Sequence, residues 1–461
     1  MEDLFITADW VLPVSSTPLV AGAVVVRGGR IAMIGPRAAV EPLAGDARRI
    51  DLDRAALLPG LVNVHAHLEL TALRGFLEDH DFFAWIRRLT RAKYELLDEE
   101  AILDSARQGV VEATLAGVTT LGEVCDLGVS RTALEEGGLR AVLFQEVFGP
   151  DPRDVEASLA ALRARLAVHD RHASTRLQVG VSPHAPYTVS EPLLRAVVEL
   201  ARAEGRPWTI HAAESAAEDA YLRDGRGPFA EFLRGRGIEV RARGVSTLAW
   251  LDGLGALETR PLLVHCVRVD DDDLARASAA GASIAHCPKS NAKLGHGSAR
   301  WRAMRRAGLA VGLGSDGVVS NNAMDLFEES RVAALFDRAI SFGSPAAGAR
   351  DSGDDDRSTP SARELVQLVT LDGARALGLD AEVGSLERGK RADLCAVDLS
   401  GAHSEPIHDV ETAVVWSAGA RDVVLTIVDG CVLFERGRLA RWDREALAER
   451  LRNTAAKLGA S

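Results

Sequence analysis

The chain has 461 residues, 47% hydrophobic and 26% charged, with a formal net charge of −12. That balance suits a globular protein with a large core, and an acidic surplus without a basic cluster excludes a phosphate-backbone or anionic-lipid footprint, so neither nucleic acid nor membrane is an expected partner. Five scattered cysteines fit reduced thiols better than a disulfide framework, and with no leader and no apolar run of the roughly 18 residues that span a bilayer, a soluble cytoplasmic protein is expected.

Residues 1–58 alternate short β-rich pieces with turns, and VVVRGGRIAMIG carries Gly-Gly between two apolar runs, a hairpin signal. Such a small antiparallel sheet needs a partner to bury its second face. GSLERGKRADLCAVDL and DVVLTIVDGCVLFERGRL, near the other end, repeat the pattern. One composite β-sandwich is therefore expected from residues 1–58 and 383–440.

Between them, over 59–382, strands alternate with helical patterns, which argues a parallel sheet. The first candidate strand, in LLPGLVNVHAHLEL, is followed by strands over 118–124, 140–149, 177–186, 207–215, 261–267, 282–290 and 309–317. Eight βα units close into a TIM-type (β/α)8 barrel, with active sites at the C-terminal ends of the strands. The expected class is α/β: that barrel plus the composite sandwich. The Gly/Ser/Pro/Asp-rich segment 342–361 is expected to be a mobile surface loop. The tail, 441–461, reads as an amphipathic helix packed on its own chain or on a twin subunit, and a homo-oligomer, dimer or tetramer, is expected.

The chemistry gathers at the predicted strand ends. His65 and His67 are separated by one residue, so in an extended chain their imidazoles leave the same side and can grip one ion. His211, in WTIHAAES, and Asp316, in GLGSDG, end the fifth and eighth strands. Three imidazoles and one carboxylate suit Zn²⁺, or less specifically Fe²⁺, with a position open for water. Glu214 lies three residues past His211, so the chain must bend there for it to reach the pocket and shuttle protons. His265, ending the sixth strand in LLVHCV, could polarise the water or steady an anionic oxygen.

His184, in VSPHAPYTVS, is a candidate substrate contact, as are Glu69, Trp85 in FFAWIRRL and Asn291 in CPKSNAKLG. For Glu69 a solvated loop position is the alternative. His286 and His296 read as structural or supporting, and His80, His169, His172, His403 and His408 as surface residues. No lysine falls on the predicted fourth strand, which argues for one metal rather than two bridged by a modified lysine.

The ordered series PGLVNVHAHLE, SPHAPYTVS, IHAAES, VHC, CPKSNAKLG and GSDGVVSNNAMDLFEE resembles the amidohydrolase superfamily, in its cytosine-deaminase-like and chlorohydrolase-like branch. The resemblance implies a barrel with one divalent metal on His65, His67, His211 and Asp316, with Glu214 as proton shuttle, His265 orienting the water and His184 touching the substrate. The implied reaction is hydrolytic deamination of an aromatic amidine, with a small molecule as partner. SPHAPYTVS and GSDGVVSNNAMDLFEE resemble enzymes that deaminate 5′-methylthioadenosine and S-adenosylhomocysteine. HLELTALRG, FFAWIRRL and CPKSNAKLGHG resemble aminodeoxyfutalosine deaminases. Alternatives are hydrolysis of another aminated or halogenated N-heterocycle, such as guanine, cytosine or an s-triazine, and a non-enzymatic barrel scaffold.

Overall fold

The computed structural model describes residues 2–78, 81–171, 174–343 and 359–459. The chain opens with β1 (Leu4–Val11), β2 (Leu19–Arg27), β3 (Arg30–Pro36), β4 (Arg48–Asp51) and β5 (Ala55–Pro59). The β2–β3 turn is Gly28-Gly29, with φ of +56° and +78°. Only glycine adopts two such angles in succession cheaply, so the pair fixes a tight hairpin with Arg27 opposite Arg30.

The parallel strands follow: β6 (Leu61–Ala66), β7 (Val118–Cys125), β8 (Arg140–Val147), β9 (Leu177–Pro183), β10 (Thr209–Ala212), β11 (Leu262–His265), β12 (Ser283–His286) and β13 (Ala310–Leu313). They form two four-stranded sheets, each in chain order. Single parallel bridges link the sheets at both edges, Val181 to Trp208 and Ala66 to Asp316. Every residue of β6, β7 and β8 is buried, which explains apolar runs without alternation. β6 and β7 lie so close that a Cβ on Gly122 would stand 2.1 Å from the Val64 carbonyl oxygen.

β14 (Leu394–Asp398), β15 (Val423–Val428), β16 (Cys431–Glu435) and β17 (Arg438–Leu439) return to the start of the chain. β14 pairs antiparallel with β5, so both ends of the chain share one nine-stranded sheet. Leu4, Ile6, Val24 and Val26 pack in one cluster with Leu394, Ala396, Leu425 and Ile427. A buried ion triad bolts this sheet to the parallel strands. Arg140, at the start of β8, donates from Nε to Asp393 (2.8 Å) and from Nη2 to Asp429 (2.7 Å).

The C-terminal helix Arg444–Gly459 lies on its own chain, burying Leu447 and Leu458 and pairing Arg450 Nε with Asp104 (2.6 Å). Among the described residues no helix is long and apolar enough to cross a membrane. Residues 344–358, most of the segment expected to be a mobile loop, lie outside the described residues, as do His80 and His172. His403 and His408 are exposed, but His169 is a correction to the surface expectation. It is buried, with Nε2 3.0 Å from Gln145 Oε1, because its helix turns that face onto β8.

Candidate active site

The strand ends bring His65, His67, His211 and Asp316 together. Ring centroids lie 4.8 Å apart for His65 and His67, 5.0 Å for His65 and His211, and 5.5 Å for His67 and His211. Asp316 Oδ1 is 3.4 Å from His65 Nε2 and 3.5 Å from His67 Nε2. One potential ligand atom from each of the three histidines lies within 4.8 Å of the others.

Supporting contacts aim these groups. His211 Nδ1 lies 2.8 Å from the His184 carbonyl, which can only accept, so Nδ1 carries the proton and Nε2 is bare. Asp316, at φ +59°, accepts from Ser290 Oγ (2.6 Å), Ser320 Oγ (3.1 Å) and the Gly317 amide (2.7 Å). His65 is fully buried, and neither ring nitrogen has a hydrogen-bond partner among the described residues. Such an orphan costs free energy unless something ligates it. Burial, reinforced by neighbouring imidazoles, holds His67 well below its usual pKa and His211 at about 4. Burial would raise Asp316, but the His65 and His67 imidazoles hold its carboxyl well below the ordinary range. Neutral His67 and His211 beside a charged Asp316 are in the protonation states a divalent ion needs, so the donor set fits one.

The bend required after His211 is present. β10 stops at Ala212, and Ala213 takes φ +53°, swinging Glu214 into the cavity. The Glu218 carboxylate braces this turn, accepting from the amides of Ala213 (2.7 Å) and Glu214 (2.9 Å) and from Thr247 Oγ1 (2.7 Å). Glu214 Oε1 then stands 3.5 Å from His265 Nε2 and 3.3 Å from His296 Nε2. Burial opposes ionisation of Glu214, but His265 and His296 bring its pKa below the ordinary value. His265 Nδ1 donates to Asn291 Oδ1 (2.9 Å), which leaves Nε2 facing Glu214. His265 (φ +73°) and Ala213 are both in left-handed backbone, a conformation non-glycine residues adopt where surrounding contacts enforce it.

A cavity of about 580 Å³ opens over these groups. Its floor holds His67, His184, His211, Glu214, His265 and Asp316, and its roof is the helix Phe82–Arg91, including Trp85. Its outer wall is aromatic, with Tyr187 stacked on Phe229 at 3.8 Å between ring centroids.

Two expected substrate contacts lie elsewhere. Glu69 is buried away from the cavity, its carboxylate accepting from the amides of Asp126 (3.1 Å), Leu127 (3.0 Å) and Val129 (3.1 Å), because residues 68–73 form a 3-10 helix in place of a continuing strand. Asn291 sits behind His265 and orients it instead of reaching the cavity.

Three charged groups were not singled out in the sequence. Glu218 braces the Glu214 turn; burial pushes its pKa up to about 7. Glu146, ending β8, lines the cavity, and burial raises it to about 8 despite Lys93 nearby. Lys93, in the π-helical turn Ala92–Leu96, also lines the cavity, with Nζ 3.0 Å from Asp126 Oδ2. Glu146, His184 and His211 form a second close group. It does not complete a second metal site, because the bare nitrogen of His211 belongs to the first set and its other nitrogen is spent on a carbonyl.

Residues 56–433 match the model of the amidohydrolase family. The chain is 34% identical over 465 residues, covering 99% of each protein, to the 5-methylthioadenosine/S-adenosylhomocysteine deaminase of Symbiobacterium thermophilum. Among solved structures, an adenosine deaminase from Xanthomonas campestris with bound zinc superposes with a TM-score of 0.85 at 28% identity, covering 100% of this chain and 99% of that one. The aminofutalosine deaminase of Helicobacter pylori, with a TM-score of 0.78 at 21% identity, covers 94% of this chain and 100% of its own and shares the fold.

Proposed function

The chain belongs to the amidohydrolase family, and from that premise we propose that it is a metal-dependent hydrolytic deaminase releasing ammonia from an adenine-nucleoside derivative. The observation that carries this reading is Glu214. It is held within 3.5 Å of both His265 and His296 at the edge of the imidazole-carboxylate set, where an acid can reach a ring nitrogen.

The two four-stranded sheets are read as halves of one (β/α)8 barrel spanning 59–382, a closure supported by the Val181–Trp208 and Ala66–Asp316 bridges. Residues 1–58 and 383–440 are read as one composite β-sandwich domain built on the shared nine-stranded sheet, and the region from 441 as the C-terminal helical segment, with its helix at Arg444–Gly459. His65, His67, His211 and Asp316 are assigned as the ligands of one zinc ion, a choice supported by the zinc in the Xanthomonas relative. A divalent ion so held supplies Lewis acidity and brings the pKa of a water toward neutrality.

The protein's own groups then divide the proton work. Glu214, ionised at rest, takes a proton from the attacking water and delivers it to a ring nitrogen, which makes the amino-bearing carbon electrophilic. His265, its ring fixed by Asn291, presents Nε2 to the attacking water and orients it. Asp316, held in its charged form, accepts the remaining proton of that oxygen and passes it to the amine, so that ammonia leaves. The aromatic wall and the Phe82–Arg91 roof keep bulk water out and offer stacking surface to a purine and an apolar 5′ group.

Ammonia release measured across methylthioadenosine, S-adenosylhomocysteine, aminodeoxyfutalosine, guanine and cytosine tests the reading. Turnover confined to the adenine nucleosides is expected. Release from cytosine or guanine alone, or from none of the five, overturns it.

A further inference from the structure

The cavity contains one buried acidic group that the deamination steps leave unused. Glu146 is 4% exposed, and its Oε1 has no hydrogen-bond partner among the described residues. His184 Nε2 lies 3.9 Å from that oxygen. His184 Nδ1 is engaged by Thr188 Oγ1 at 2.7 Å, so Nε2 is the ring nitrogen left facing Glu146. A carboxyl oxygen and an imidazole nitrogen thus face each other across a gap too wide for a hydrogen bond. A ligand hydroxyl placed there would satisfy both.

The position fits the sugar. In strand order β8 and β9 lie on one side of His211 and β11 on the other, so Glu146 and His184 flank the centre from the side away from His265. With the purine edge at Glu214 and His265, the ribose falls toward β8. A carboxyl group offers two oxygens, one for each of two vicinal hydroxyls. The Lys93 ammonium, anchored on Asp126 in the turn that follows the roof helix, adds positive charge to the same lining. We propose that Glu146, with His184 beside it, is the subsite that binds the vicinal 2′- and 3′-hydroxyls of the nucleoside and selects ribonucleosides over sugars lacking them. The assignment rests on the deaminase reading of the same cavity.

The test compares kcat/KM for an adenine ribonucleoside and its 2′,3′-dideoxy counterpart, bearing the same 5′ group, in wild type, Glu146→Gln and Glu146→Ala, with bound metal measured in each. Unpairing buried hydrogen-bonding groups predicts that wild type favours the ribonucleoside by roughly 100-fold or more. Both variants should lose roughly 10- to 100-fold on the ribonucleoside but under about threefold on the dideoxy compound, with metal content unchanged. Because Gln keeps the size of the side chain, that preference should collapse even if Ala disturbs the fold. Equal losses on both substrates in an active enzyme overturn the subsite alone. A wild type that releases ammonia from neither nucleoside overturns the deaminase reading and the subsite with it.

Discussion

Glu218 touches no reacting atom in the proposed mechanism, yet the aim of Glu214 depends on it. Glu218→Ala removes the acceptor of three hydrogen bonds, orphaning the amides of Ala213 and Glu214 and the Thr247 hydroxyl in a buried site. Each orphan costs about 1–3 kcal/mol, and water entering the vacated space recovers part, so a net loss of roughly 2–4 kcal/mol is expected. The left-handed conformation of Ala213 carries a further penalty of about 1 kcal/mol that nothing would then enforce, so the turn should relax. A carboxyl displaced by about 1 Å forfeits on the order of 100-fold in rate. His211 precedes the bend and is held by the His184 carbonyl, so metal content should stay at wild-type level. Thermal unfolding, metal analysis and steady-state ammonia release together separate these effects. Adding Ala213→Gly to the variant should not restore kcat, because glycine tolerates the left-handed turn but does not replace the acceptor that aims Glu214. Full kcat in a destabilised Glu218→Ala protein would refute the argument.

Glu214→Gln should keep the metal while kcat falls by at least ~100-fold, read by ammonia release beside metal analysis. His67→Ala should lose metal and turnover together, and full metal occupancy in that variant would contradict the ligand assignment. Arg140→Ala leaves Asp393 and Asp429 buried without their cation and should cost roughly 3–5 kcal/mol in unfolding measurements. It lies at the far end of β8 from the cavity, so kcat well below the melting temperature should be unchanged. Burial raises Glu218 from 4.5 to about 7, so its protonation favours the folded state. That contribution is complete below the unfolded value and is lost as pH rises through the folded one. The stability of wild type relative to Glu218→Gln should therefore fall between pH ~4.5 and ~7, and a flat difference would show that Glu218 does not titrate there.

The sequence made the parallel strands legible because burial on both faces removes polar alternation, and their ends legible because His and Asp are rare after such runs. The hairpins were equally plain, since Gly28-Gly29 and Asp429-Gly430 are the residues that left-handed turns demand. Parity misled at Glu69. It shares strand parity with His65 and His67, but β6 ends at Ala66 and a 3-10 helix turns Glu69 toward the loop after β7. A period-two argument holds only while the strand lasts. Asn291 failed differently: its helix, Pro288–Lys293, is positioned by packing against the helices that follow β13, and the direction of its side chain toward a remote histidine is set by the tertiary fold.

Glu146 escaped notice although its signal was present. RAVLFQEV is buried throughout, and a charged residue in such a run must find a partner or await one. Glu123, near the end of the equally buried β7, has found its partners in Ser130 Oγ and the Leu68 amide. Glu146 has no such donor on Oε1. The sequence presents the two carboxylates alike, and only the surroundings separate a carboxylate satisfied by its own chain from one left open to the cavity. That difference assigns Glu123 to the fold and Glu146 to a ligand, and an intact hydroxyl preference in Glu146→Gln would erase it.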